Sequence, residues 1–192
     1  MKRARFTFII SRFRGLLLAP GREWKVISDE RPGGVTPFRD FVVLPCGLLS
    51  LLVVLLRWTS ADPTIAPRWG IINFVACTAG CYLTLRLARL LLAADSEEIA
   101  ATLPKLVGYA FAIYIPFRSL AMGLPGDFIG ELLSVCSLYS LYILYAGMGA
   151  LTTLDTARRR GGAFLVGLLV ISLPWIITRL LVILLDMPVI II

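Results

Sequence analysis

An uncharged run, LVGYAFAIYIPF (residues 106–117), lies between Lys105 and Arg118. As a helix it is about 18 Å long, whereas the hydrocarbon core of a bilayer is about 30 Å thick. The run therefore crosses a membrane only if both cations reach the headgroups, or if it forms a short, bent element. This choice matters because the remaining apolar runs number four, so the chain has either four or five crossings.

The composition places the chain among membrane proteins. It is 58% hydrophobic and 16% charged, whereas soluble domains are about 45–50% apolar and about 25% charged. One soluble core could not hide this much apolar surface. The formal net charge of +7 is compatible with nucleic-acid binding, but the Lys and Arg residues follow the predicted loops, so no nucleic-acid partner is expected.

The apolar runs predict an all-α fold, an integral membrane bundle of five transmembrane helices preceded by a cytosolic, interfacial amphipathic helix. The predicted spans are residues 38–58, 69–92, 104–124, 131–153 and 163–185. Residues 1–35 form a basic leader and residues 36–192 form the membrane domain.

The positions of the cations favour five crossings with a cytosolic N-terminus and an outer C-terminus. In that arrangement 15 of the 19 Lys and Arg residues are cytosolic, Arg57, Arg68 and Arg118 lie outside, and Arg179 lies within the fifth span. Cytosolic loops of membrane proteins carry the excess of Lys and Arg. Four crossings would put the basic loop 158–160 on the wrong side.

The leader has the period of an amphipathic helix. Its apolar residues recur at helical spacing, and basic residues border that stripe. The stripe consists of Phe6, Ile9, Ile10, Phe13, Leu16 and Leu17. Because Arg12 and Arg14 interrupt it, a cleavable signal peptide is rejected. Beyond Pro20, Trp24 and Ile27 continue the apolar face on a second short helix, with Trp24 expected at the headgroup level.

Three stretches resemble the Yip (Ypt-interacting protein) domain family of multipass membrane proteins, bacterial branch. The first is LLAPGREWKVISDE (residues 17–30), in which Leu17, Pro20, Glu23, Trp24 and Ile27 resemble the family's leader motif. The others are LPKLVGYAFAIYIPF (residues 103–117), which resembles the third helix, and SLYSLYILYAGMGALTTLDTARRRGGAF (residues 137–164), which resembles the fourth helix and its loop.

The resemblance implies a five-helix domain in the bacterial inner membrane with a cytosolic N-terminus, in agreement with the distribution of cations. Eukaryotic members are associated with Rab GTPases and vesicle traffic, largely through a longer N-terminal region. The bacterial members offer no settled activity, so the resemblance implies an architecture and no substrate.

The residue types argue against an enzyme. The chain has no His, the usual base of Ser-His-Asp sites and a common zinc ligand, and it lacks nucleotide-binding and nucleophile-elbow motifs. We expect no catalytic residues, no cofactor and no metal. The four cysteines, Cys46, Cys77, Cys81 and Cys136, are interpreted as packing residues within the spans.

Two basic features are candidates for function. Arg158, Arg159 and Arg160 are candidate contacts for anionic lipid headgroups near the start of the fifth helix, although they also serve as plain determinants of topology. Arg179 is a candidate intramembrane functional residue, because ionisable groups within a span are costly. The alternative for Arg179 is a side chain that snorkels towards Asp186.

Two functions remain open at this point. The first is a non-enzymatic membrane scaffold or adaptor that organises other membrane proteins or lipids, by partner binding or self-association. The second is a small transporter, channel or lipid-handling protein that uses kinked helices 3 and 5 and Arg179. A transporter requires polar groups that converge on a hydrated cavity, whereas the interior of a scaffold can be dry.

Overall fold

A computed structural model describes residues 2–29, 38–60, 63–92, 97–124 and 128–187, with the side chains of residues 2–6 and 60 left out. The regular structure of these residues is entirely helical. The helices are α1 (Lys2–Leu18), α2 (Pro20–Ser28), α3 (Leu44–Ser60), α4 (Ala66–Leu92), α5 (Glu97–Gly123), α6 (Phe128–Cys136), α7 (Tyr139–Leu151) and α8 (Thr156–Leu184). A π-helical segment, Phe38–Val43, leads into α3.

Within the described ranges, five helical stretches are long and apolar enough to cross a membrane, which confirms the predicted number. They are Phe38–Thr59, Ala66–Leu92, Glu97–Gly123, Phe128–Leu151 and Thr156–Leu184. The third and fifth begin seven residues before the predicted positions 104 and 163. Hydropathy omits these first turns because they are polar, but their backbone is helical nevertheless.

The fourth stretch, which the sequence presents as one uninterrupted helix, is divided into α6 and α7 at Ser137 and Leu138. The hydroxyl of Ser137 donates to the carbonyl of Ser134 at 2.6 Å. Serine hydroxyls compete with backbone N–H groups for carbonyl groups. The hydrogen bond of Ser137 is an example of this competition, and it lies at the break between α6 and α7.

Helix α5, which contains the run 106–117, is the centre of the bundle. It contacts α1, α3, α4, α6, α7, α8 and the π-helical segment. In its most apolar window 67% of the residues are buried, against 28–44% in the other four stretches. Small residues such as Gly108 and Ala112 let neighbouring helices approach closely, and Tyr109, Phe111 and Tyr114 fill the space between them. The run that is ambiguous in the sequence is therefore the core of the fold.

Helix α2 packs against α5 and α7 with one face, while the other face is exposed. Trp24 and Ile27 are fully buried. The indole nitrogen of Trp24 donates to the carbonyl of Ile143 at 3.0 Å, and its ring meets that of Tyr109 edge-on at 5.6 Å. The ammonium of Lys105 donates to the carbonyl of Ile27 at 3.1 Å. The ring of Trp24 is enclosed by protein, whereas its depth at the headgroup level stays a prediction.

The turn between α1 and α2 also reaches deep into the bundle. The hydroxyl of Tyr139 donates to the carbonyl of Leu17 at 3.0 Å, and Tyr139 lies near the middle of the fourth stretch, Phe128–Leu151. The leader therefore enters the bundle at Leu17 and returns along α2 towards Lys105. An amphipathic stripe indicates that one face of a helix is apolar, but it does not show whether that face meets lipid or protein.

The close contact of α2 with α7 depends on Gly147. A Cβ atom at this position would lie 2.6 Å from the ring of Trp24 and 2.7 Å from the side chain of Leu106. At Gly161, by contrast, a Cβ atom would have nothing within 4 Å. The indole of Trp24 thus fits against α7 because position 147 has no side chain.

We expect Gly147→Ala to reduce the free energy of unfolding by about 1–3 kcal/mol, because overpacking forces the indole out of its site. Thermal unfolding of the purified protein in detergent micelles measures this, with Gly161→Ala as the matched control. Equal melting temperatures for the two variants would show that Gly147 does not support the docked leader.

Candidate functional site

A buried polar network links the first three membrane-crossing helices. The side-chain amide of Asn73 in α4 donates to the hydroxyl of Ser50 in α3 and to that of Ser119 in α5, both at 2.9 Å. All three residues are buried. Because unpaired polar groups in the membrane interior are costly, each of these hydrogen bonds favours the observed arrangement of α3, α4 and α5.

Next to this network, Arg118 joins α5 to α8. Its side chain is 7% exposed, and its Nη2 donates to the hydroxyl of Thr178 at 3.2 Å. Thr178 in turn donates to the carbonyl of Pro174, 2.7 Å away. Pro174 lies within α8 and Pro116 lies within α5, so this contact lies between two proline-containing helices. Proline in a helix interior removes a backbone hydrogen bond and kinks the helix.

A second buried cation, Arg57, lies near the end of α3. Its Nε donates to the carbonyl of Met122 at 2.8 Å, and its guanidinium carbon lies 4.5 Å from the ring centre of Trp69. The residue is 0% exposed. Both terminal nitrogens, Nη1 and Nη2, are buried, and neither has a hydrogen-bond partner among the described residues.

Arg57 and Arg118 fall within the predicted spans 38–58 and 104–124, and their charges were counted on the outer side of the membrane, which stays a prediction. Both residues lie within helices that are long enough to span, and both are buried. Topology counting assigns a cation to a side and does not report its burial, so it did not single these two out. One signal was present in the sequence: Ser50 and Arg57 are seven residues apart, which places two polar groups on the same face of a helix.

The structure does not include Arg179 in this buried site. Its guanidinium carbon lies 5.3 Å from the ring centre of Trp175, one turn earlier on α8. Asp186 is exposed, and no ion pair joins it to Arg179 among the interactions of the described residues. Arg118, which meets α8 from α5, is buried, whereas Arg179 is half-buried.

Of the three arginines at residues 158–160, one packs against α7 and two are exposed. Arg159 donates to the hydroxyl of Tyr145 at 3.0 Å and lies over its ring at 5.0 Å, so it joins α8 to α7. Arg158 and Arg160 are exposed, and Arg158 makes only a long contact of 3.9 Å with Asp155. Of the three candidate headgroup contacts, these two have their charge on the surface.

The leader-motif residues lie close together in the structure. Pro20 is the first residue of α2, a position that suits its fixed φ. Glu23 pairs with Arg12 of α1 at 2.5 Å, with side chains that are 18% and 8% exposed. The pair fixes α1 against α2, while Trp24, Ile27 and Leu17 attach the leader to the bundle as described above.

The cysteines do not form a cluster with other metal-binding residues. Cys46, Cys77 and Cys81 are buried, Cys136 is half-buried, and all four are free thiols. In the part of the chain that the structure describes, no group of three or more His, Cys, Asp or Glu residues could hold a metal ion.

Replacing Asn73 tests whether the polar network stabilises the bundle. We expect Asn73→Ala to reduce the stability in detergent by about 1 kcal/mol, a typical cost for an interhelical hydrogen bond in a membrane protein, since Ser50 and Ser119 lose their donor. The control is Thr78→Ala, because Thr78 donates only to carbonyls of its own helix. An equal loss of melting temperature in both variants would contradict this role.

Comparison with known proteins adds no relative to these observations. No family model, no curated protein and no solved structure matches the chain.

Proposed function

We propose that this chain is a non-enzymatic membrane scaffold that organises other membrane proteins or lipids. The observation that carries the proposal is the pairing of Asn73 and Trp24 with polar groups on other helices. The amide of Asn73 donates hydrogen bonds to Ser50 and Ser119, and the indole of Trp24 donates one to a backbone carbonyl. Groups that are satisfied by one another fix the helices in one arrangement, as a scaffold requires.

The docked leader supports the same proposal. An N-terminal segment that is tied to α5 and α7 by Trp24, Ile27 and Lys105 gives the bundle a rigid surface at that end. The exposed cations Arg158 and Arg160 are available to anionic lipids at the cytosolic face. Other membrane proteins, or a second copy of the chain, are the proposed partners.

We further propose a place in the bacterial inner membrane, with a cytosolic N-terminus and an outer C-terminus. The distribution of cations supports this orientation, and the five apolar helical stretches allow it. Membership of the Yip family remains part of this proposal, and it is supported by the sequence motifs alone.

The orientation can be measured with reporter fusions in a bacterial host. Alkaline phosphatase folds only outside the cytosol, so we expect an active enzyme when it is fused after Ile192 and an inactive one when it is fused after Asp155. A fluorescent protein that requires the cytosol should give the opposite pattern. Exchanged activities would overturn the proposed orientation.

The scaffold proposal can be tested by crosslinking and pull-down from native membranes. Trp24→Leu removes the anchor of the leader, and Trp58→Leu, at a residue that is 53% exposed, is the matched control. We expect specific crosslinked proteins with the wild type, the control and Arg179→Ala, and their loss with Trp24→Leu. The same proteins in all four samples, or none in any, would contradict a scaffold that depends on its leader.

Transport or lipid handling remains a second candidate, and one observation favours it. Arg118 is a buried cation between two proline-containing helices, α5 and α8, and charged residues in such positions commonly mark substrate pathways. The sequence pointed to Arg179 for this role, whereas the geometry favours Arg118. A lipid or solute that copurifies with the wild type but not with Arg118→Gln would favour this candidate over the scaffold.

A further inference from the structure

Helix α1 runs alongside α5 rather than across the end of the bundle. The ring of Phe8 meets that of Phe41 at 6.3 Å, and Phe41 in turn meets the ring of Tyr109 on α5 at 4.8 Å. Near the end of α1, Leu17 lines a pocket together with Phe117 of α5. From Phe8 to Leu17 the chain advances by nine residues, and its neighbours on α5 advance by eight, so the two helices descend together.

Between these two levels lies an apolar pocket of about 230 Å³. Helix α1 forms one wall, and the opposite walls come from the beginning of α3 and from α5. The lining includes Ile9, Ile10, Phe13, Pro45, Ala112 and Pro116, and every lining side chain is apolar. The pocket is smaller than the roughly 300–1,000 Å³ of pockets that enclose a drug-sized ligand, so it fits a segment of a hydrocarbon chain.

The pocket lies well within the apolar part of α5. Ala112 and Pro116 come seven and eleven residues after Lys105, the charge that precedes the uncharged run 106–117. At 1.5 Å per residue these positions are about 10–16 Å beyond Lys105, in a hydrocarbon core that is about 30 Å thick. Lipid chains are the surrounding medium at this level of the proposed bilayer.

The pocket opens on the surface of the bundle. Ile10 at its rim is 51% exposed, and Leu44 and Leu48, which precede and follow Pro45 on α3, are 50% and 58% exposed. Leucine is as apolar as a lipid tail, so this surface suits contact with lipid. A lipid chain is therefore the occupant that the lining, the size and the level of the pocket favour.

A cation is exposed on α1 beside the pocket. Arg14 follows Phe13, which lines the pocket, and it lies one turn after Ile10, so Ile10 and Arg14 share one face of the helix. Both side chains are exposed. Helical side chains tilt towards the N-terminus, and the side chain of Arg14 therefore leans towards the rim at Ile10. An exposed charge at this level is costly unless a headgroup reaches it.

We propose that the groove between α1, α3 and α5 binds an anionic phospholipid, with one acyl chain in the pocket and the phosphate on Arg14. A guanidinium pairs with phosphate oxygens through two N–H donors. A headgroup without a cation of its own, such as that of phosphatidylglycerol, leaves this pairing uncontested. The headgroup is then held below the general level of the membrane surface, and the bilayer is thinner beside the leader.

The inference rests on one part of the proposed function, the insertion of the chain into a bilayer, and it names the class of lipid that the leader would organise. The site is separate from Arg158 and Arg160, which belong to the first turns of α8. Its test uses only purified protein and lipid. A failure of this test therefore does not count against the protein partners that the crosslinking experiment seeks.

The site can be mapped with phosphatidylglycerol that carries a photoreactive diazirine on one acyl chain. The purified full-length protein is placed in phosphatidylcholine nanodiscs with a small fraction of this probe and is irradiated and digested. Mass spectrometry then identifies the labelled peptides. Added unlabelled phosphatidylglycerol is the competitor, and the same amount of added phosphatidylcholine is the blank.

Two variants address the two parts of the site. Ile10→Trp fills the rim of the pocket, and Arg14→Gln removes the charge. Both positions are exposed, so both variants are expected to fold. The matched controls are Leu48→Trp, at an exposed position of α3 outside the pocket, and Arg68→Gln, at an exposed arginine in the first turn of α4.

We expect labels on the peptides that contain residues 9–13 and 112–116, and competition by phosphatidylglycerol only. Arg14→Gln should reduce the labelling of these peptides about tenfold, the effect of one charge-assisted hydrogen bond. Ile10→Trp should reduce it at least as much, whereas both controls should be labelled like the wild type.

Three results would overturn the proposal. The first is full labelling of these peptides in either Arg14→Gln or Ile10→Trp. The second is a reduction by added phosphatidylcholine as large as that by phosphatidylglycerol, which would indicate contact with bulk lipid alone. The third is labelling confined to other peptides.

Discussion

The five apolar stretches are long enough to cross a bilayer, whose interior offers no water to polar groups, and this constraint bears on the polar contacts of the bundle. Backbone groups are satisfied by helices, and side chains that cannot reach an interface must find partners on a neighbouring helix. Asn73 does so through Ser50 and Ser119, and Trp24 does so through the carbonyl of Ile143. Among the described residues, the pairing is incomplete at the Nη atoms of Arg57.

The sequence predicts the number of membrane-crossing helices because hydropathy and length are local properties. It does not predict their ends: α5 and α8 continue for seven residues into polar sequence. The central position of α5 was also hidden, since the charges Lys105 and Arg118 make its run look too short. Lys105 is accommodated by the carbonyl of Ile27 and Arg118 by Thr178, and both partners are distant in the chain.

The candidate site was predicted only in part, for a related reason. Periodicity shows which face of a helix is apolar, and it does not show which neighbour that face meets. Asn73 was visible as a polar residue within a span, but its partner Ser50 becomes apparent only when α3 and α4 are packed together. Arg57 and Arg118 were counted on the outer side, with no indication that they are buried, and Arg179, which looked more exceptional, lies against Trp175 at the edge of the bundle.

The position of the leader has a consequence for the biosynthesis of the chain. Trp24 and its acceptor Ile143 are 119 residues apart, and Leu17 and its donor Tyr139 are 122 apart. Ribosomes add about 5–20 residues per second, so α2 waits roughly 6–24 s for its binding surface on α7 to be made. During that interval the apolar face of α2 lacks its partner on α7. Helices α1 and α2 are therefore synthesised before the surface that holds them, and they reach their final position only after α7 has been made.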